Sequence, residues 1–256
     1  MKVREVLRAA RGAVTFLTRV PVGGYPYTSE EWRWTSAWFP AVGALLGALY
    51  AGVFAALVGG AGPFVAAVVV VIAALLVTGA FHEDGLADTA DALGGAHERS
   101  KIFEILKDSR VGAFGAAALG SSLLLRVALL ARLDARAPLA LVLTESLSRL
   151  PSVWLMVALP YVTQDAAAKS RVVTRAGVAQ ALLASLWPAA LVAAGVVGGW
   201  LGLAAIVSLV TAAVGVALLC GWRFHLRAGG VTGDFLGATQ QVAVNVLLLV
   251  LVLVPA

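Results

Sequence analysis

His82, Glu83, Asp84, Asp88 and Asp91 stand within ten residues of one another, and no Lys or Arg occurs from His82 to His97 to balance them. Seven of the chain's fourteen acids fall between Glu83 and Asp108. Crowded carboxylates repel one another and call for a counter-charge. A divalent cation is the simplest one. Mg²⁺ or Mn²⁺ takes carboxylate oxygens and keeps waters that substrate phosphates displace, whereas zinc suits a chain with one cysteine and three histidines less well. On a helix, Asp84, Asp88 and Asp91 share an arc of about 60°, and Gly94-Gly95 ends that helix. The spacing therefore predicts a metal-binding face with Glu83 at its edge. The competing reading is a solvated helix face beside a membrane. His82, whose side chain type titrates near neutrality, is a candidate general base, with metal ligation or support of a ligand as the alternative.

Three further groups join this face as candidates. In the run Asp108-Ser109-Arg110, Asp108 would complete the metal set and the planar fork of Arg110 would clamp a phosphate. The alternative for Arg110 is an interfacial anchor. Four glycines between Gly229 and Gly237 would let backbone N–H groups approach an anion. That makes Gly230, Thr232 and Gly233 candidate substrate contacts and Asp234 a further metal ligand, against the simpler reading of a flexible turn. Glu145 and Arg149, four apart, would pair inside an apolar run, or leave Arg149 to hold a substrate phosphate.

The elements that position these groups are read from hydropathy. The chain is 61% hydrophobic and 13% charged, with a mean hydropathy of +0.93, outside the range of soluble domains. Apolar runs long enough for a bilayer lie near Ala37 to Val58, Pro63 to Phe81, Gly112 to Leu133, Pro138 to Leu159, Ala176 to Val197, Trp200 to Cys220 and Val242 to Val254. The expected fold is all-α: one polytopic membrane domain over 1–256, with about seven transmembrane helices and interfacial amphipathic helices. Residues 1–36 form an N-terminal interfacial segment rather than a cleaved signal, because basic residues run through it. Residues 82–111 form the acidic catalytic segment, with an amphipathic stretch from Arg99 to Lys107, and residues 221–241 a glycine-rich loop.

Fifteen of the nineteen Lys and Arg fall in the segments 2–36, 82–111, 160–175 and 221–241. This bias places those segments and the N-terminus on the cytoplasmic side. It also explains the net charge of +5 without a nucleic-acid partner. The opposite-side turns at Gly59 to Gly62 and Gly198 to Gly199 are too small to hold a site. Trp32, Trp34, Trp38, Trp200 and Trp222 lie where an interfacial belt would, and the single Cys220 excludes an internal disulfide.

The segments AVTFLTRVPV from Ala13, FPAVGALLGAL from Phe39, HEDGLADTADALGG from His82, KDSRVGAFG from Lys107 and GGVTGDFLGA from Gly229 resemble, in this order, the cobalamin synthase (adenosylcobinamide-GDP ribazoletransferase) family. The family pattern F-H-x-D-G-L-A-D-T-x-D is met from Phe81 to Asp91 without a break. The resemblance implies a Mg²⁺-dependent enzyme of a prokaryotic inner membrane that joins adenosylcobinamide-GDP to α-ribazole or its 5′-phosphate and releases GMP. Two departures stand out: Gln241 and Val244 occupy positions where the family often carries carboxylates, and the loop Tyr161 to Ser170 is atypical. A CDP-alcohol phosphotransferase fits poorly, since Asp88 follows Ala87 where that family has arginine, and Asp88 and Asp91 are three apart rather than four. A cation transporter would place acids near the midplane of the spans, where only Glu145 is expected. The sequence leaves the oligomeric state open, a homo-oligomer included.

Overall fold

The structure, a computed structural model, describes residues 3–162 and 176–254. Eleven α-helices are found among the described residues: α1 (Val3–Leu17), α2 (Ser29–Thr35), α3 (Phe39–Thr78), α4 (Phe81–Gly95), α5 (Arg99–Ile105), α6 (Ala113–Leu133), α7 (Ala137–Leu147), α8 (Arg149–Ala158), α9 (Val178–Val197), α10 (Leu203–Ala228) and α11 (Gly233–Leu253). Short 3₁₀ turns, Ser36–Trp38 and Asp134–Arg136, precede α3 and α7. The only β pairing among the described residues is an isolated bridge between Tyr161 and Val231. The fold is the expected all-α, polytopic one. From residue 163 onward, the atypical loop noted above lies outside the described residues.

Among the described residues, five helical runs are long and apolar enough to cross a membrane: Ser29–Thr78, Ala113–Ala158, Val178–Val197, Leu203–Ala228 and Gly233–Leu253. Two of them fold back on themselves. A straight 40-residue α3 would reach about 60 Å, twice a hydrocarbon core. Gly62, at φ 81° and ψ 164°, breaks it immediately before Pro63, a conformation that suits glycine. The return is visible at the other end: the Phe16 ring lies 5.7 Å from Phe39, at the start of α3, and 5.3 Å from Phe81, just past its end. The expected turn of Gly59 to Gly62 is thus one non-helical residue, because the surrounding glycines stay helical. Between α6 and α7 the reversal is at Asp134 (φ 49°).

The returning helices meet through small residues, as membrane helices do. A Cβ on Gly43 would stand 2.2 Å from the Glu145 carbonyl, and one on Gly47 would stand 2.5 Å from that of Leu141. These two glycines seat α3 directly on α7. At the centre lies α11. The most apolar stretch of α11 is 61% buried, against 22–28% for the other runs. It begins at Gly233 rather than near Val242, as the sequence suggested. Gln240, Gln241 and Asn245 lower its hydropathy, yet all three are buried and bonded inside the bundle: Gln240 donates to Ser148, and Asn245 donates to the Ser122 hydroxyl at 2.7 Å. The glycine-rich loop shrinks to residues 229–232 as a result.

On the acidic side, α1 lies across the bundle with Ala9, Ala13 and Leu17 buried. Arg8 is paired with Glu31 on α2. Thr28 and Glu31 form a capping box that starts α2.

Candidate active site

Two consecutive left-handed residues, Gly79 and Ala80, end α3 and start α4 in a new direction. From there α4 runs between α11 and α6. The approach to α11 is close because both faces are glycine. A Cβ on Gly85 would come within 2.9 Å of the Asp234 carbonyl, and one on Gly237 within 3.4 Å of the His82 backbone. Asp234, in the first turn of α11, is thereby brought to the face that carries Asp84 and Asp88. The Asp88 carboxyl is pushed up to about 6, first by partial burial and then by the charges of Asp84, Asp234 and Asp91. Four of the proposed ligands therefore share one electrostatic neighbourhood.

Asp91 has a second role there. Its two oxygens accept backbone N–H bonds from Gly112 at 2.7 Å and Gly115 at 2.8 Å, at the start of α6. A carboxylate at a helix N-terminus satisfies otherwise unpaired donors and meets the positive end of the dipole. A Cβ at Gly115 would lie 2.2 Å from Asp91 Oδ2, so the clamp depends on glycine.

Glu83 leaves this group. It is 4% exposed and turned into the bundle, where its Oε1 lies 3.5 Å from Arg126 Nη1 and accepts a 3.0 Å bond from Gln241 Nε2. Arg126 also donates to Gln241 Oε1. The reason is angular: Glu83 precedes Asp84 by about 100° on the helix, and that direction points to α6 and α11 rather than to the acidic face. Neither Arg126 nor Gln241 was assigned a role from sequence. An arginine inside an apolar run requires an acid partner, and that was the available signal.

His82 and Arg149 line one cleft of about 40 Å³ together with Phe16, Phe39, Phe81 and Gly233. Burial, reinforced by the charges of Arg149 and Arg126, holds the His82 imidazole well below its usual range. It is therefore neutral at physiological pH. Arg149 donates to Glu145 Oε2 at 2.8 Å, the expected pair, while its Nε has no partner among the described residues. The cleft thus joins an aromatic wall to a guanidinium and a neutral imidazole, and Gly233 connects it to Asp234.

The other candidates make contacts of their own. Asp108 pairs with its neighbour Arg110 at 2.6 Å, and those hydrogen bonds hold its carboxyl down to about 2. They pair with each other beside the exposed Ser109, and Asp108 is not among the charges that raise Asp88. The glycine-rich turn is also committed. The Val231 N–H donates to the Pro160 carbonyl, the Val162 N–H donates to Val231, and a Cβ on Gly230 would collide with that same Pro160 carbonyl at 2.1 Å. Thr232 is 4% exposed and accepts from Phe235 N as the N-cap of α11. Gly230 and Thr232 therefore build the turn that starts α11.

Among the described residues no three acids or histidines are gathered into a closed cation cage. Mg²⁺ is rarely held by such a cage; one or two carboxylates, waters and substrate phosphates usually complete its octahedron. Asp84, exposed, and Asp88 and Asp234, half-buried, are hard oxygen donors whose mutual repulsion a cation would relieve. The donor set fits that ion.

The family model for cobalamin-5-phosphate synthase matches residues 9–252. The chain is 37% identical to an adenosylcobinamide-GDP ribazoletransferase of Shewanella piezotolerans, over 99% of this chain and 98% of that protein. It is 40% identical to those of Shewanella amazonensis and of a Polaromonas species, over 94% of this chain and 93% of each. No solved structure matches it. A glycine-seated acidic helix, its partner Asp234 and an unbroken match across the bundle lead to one assignment: the chain belongs to the cobalamin-5-phosphate synthase family.

Proposed function

We propose that this chain joins adenosylcobinamide-GDP to α-ribazole, or to its 5′-phosphate, with release of GMP. A ribose hydroxyl attacks the phosphorus next to the cobinamide, and the bond to the GMP oxygen breaks. The observation that carries this reading is the convergence of Asp84, Asp88 and Asp234 beside a cleft that holds His82 and Arg149. Such a transfer needs in-line positioning and charge neutralisation more than covalent help. Mg²⁺ on Asp84, Asp88 and Asp234 would supply that neutralisation at the pyrophosphate. Arg149, with Nε free, holds a phosphoryl oxygen at the cleft. His82, neutral, accepts the proton of the attacking hydroxyl; an arriving pyrophosphate makes the imidazole more basic by adding negative charge nearby. Phe16, Phe39 and Phe81 keep water away from that proton transfer.

We further propose seven crossings of a prokaryotic inner membrane with the acidic end in the cytoplasm. The distribution of fifteen cations supports this, as do the two helical runs that fold back. The test is product analysis. Purified protein with Mg²⁺, adenosylcobinamide-GDP and α-ribazole is expected to form cobamide and GMP in equal amounts, and no GMP without α-ribazole. A burst of GMP matching the enzyme concentration without acceptor would instead reveal a phospho-enzyme and overturn direct attack.

A further inference from the structure

A second cavity lies far from this chemistry. The start of α6 is held by Asp91 and its other end is Leu133, so the helix carries the chain about 30 Å from the acidic face. At that far end a groove of about 510 Å³ opens between α7, α9 and the end of α11, lined by Leu143, Leu191, Leu201 and Leu251 with Trp200 and Arg136. Its volume is within the range of ligand pockets, about 300–1,000 Å³. The walls are built rather than loose. Gly195 accepts from both the Trp200 and Leu201 N–H groups, which folds Leu201 over the groove. Trp200 is 47% exposed.

Arg136 is the one charged residue in the lining. It is exposed, and no ion pair to it occurs among the described residues. With Arg132 and Asp134 beside it, the turn from Arg132 to Arg136 carries one net positive charge. The rest of the lining is almost wholly apolar, and in a bilayer the neighbouring molecule is lipid. An acyl chain that moves from the bilayer into the groove leaves hydrocarbon for hydrocarbon, so burial alone gives no preference. Selectivity must come from the head group, and a lone guanidinium at the mouth favours an anionic phosphate.

We infer that this groove is a binding site for one anionic phospholipid, with an acyl chain between α7, α9 and α11 and its phosphodiester on Arg136. The site is separate from the proposed transfer chemistry and does not depend on it. The test uses the full chain in phosphatidylcholine vesicles that contain a minor fraction of phosphatidylglycerol with brominated acyl chains. The Trp200 fluorescence component is isolated by subtracting a Trp200→Phe variant. Quenching of Trp200 is expected to exceed that by the same fraction of brominated phosphatidylcholine about fivefold. Arg136→Gln should bring the two lipids level, and Ala194→Phe, which fills the groove wall, should remove the excess. Equal quenching by both lipids in the unmodified chain would overturn the inference, as would an excess that survives both substitutions. A Trp200 that neither lipid quenches, in vesicles where two copies cross-link across α7, would assign the groove to a second copy and overturn it as well.

Discussion

Glu83 and Asp84 are adjacent in sequence and opposite in fate. Glu83 is compensated from within, by Arg126 and Gln241 in a buried network, with Glu83 Oε2 and Arg126 Nε left without a partner among the described residues. Asp84 looks out beside Asp88 and Asp234, where the described groups supply repulsion and no balancing cation. The two sides of one helix turn therefore separate a structural acid from ligand-seeking acids. Acidity alone does not mark a site; uncompensated acidity does.

The contrast breaks first where charge is removed from the open face. Asp88→Asn and Asp84→Asn each keep the side chain's shape and lose a charge, and turnover should fall by roughly 10³-fold while the protein still purifies folded in detergent. Full activity with unchanged Mg²⁺ dependence in both would move the site off α4. On the buried side the prediction reverses. Glu83→Gln strands the Arg126 charge and should cost about 3–5 kcal/mol of stability, read as a lower melting temperature. Glu83→Gln combined with Arg126→Met should recover most of it, which a simple ligand role for Glu83 would not allow.

A smaller effect separates the two kinds of acid by pH. The folded protein binds the Asp88 proton more tightly than the unfolded chain does, whose aspartates titrate near 3.9. Its contribution is therefore fully present below about pH 4 and is lost as pH rises through about 6. Chelator-treated protein should melt at lower temperature at pH 7.5 than at pH 5, and Asp88→Asn should flatten that slope. The smallest effect belongs to the exposed Asp108–Arg110 pair. Arg110→Ala should leave the melting temperature unchanged, and a change in KM for adenosylcobinamide-GDP would return Arg110 to the substrate.

The sequence disclosed whatever depends on near neighbours along the chain: the face of Asp84, Asp88 and Asp91, its end at Gly95, and the Glu145–Arg149 pair. It did not disclose what lies opposite each group. Periodicity gives directions around an axis but not the helix that fills each direction, so the turn of Glu83 toward Arg126 and the clamp of Asp91 on α6 were hidden. Hydropathy misplaced the start of α11 for a related reason. Gln240, Gln241 and Asn245 count as polar in any window, although their partners on other helices let them be buried. In the glycine-rich turn the sequence offered backbone N–H groups but not their neighbours: the Pro160 carbonyl takes the N–H of Val231, and Val162 donates to the Val231 carbonyl, both from outside the motif.

The acidic helix is fastened to α6 at two places: Glu83 to Arg126 near its start, and Asp91 to Gly112 and Gly115 near its end. Two fastenings some 12 Å apart resist both sliding and pivoting, as two pins hold a plate where one pin would leave it free to rotate. Any closure of the protein around a substrate must then carry α4 and α6 together as one rigid body. The compliance has to come from their surroundings, and α1, packed across the outside of the bundle, takes part in neither fastening.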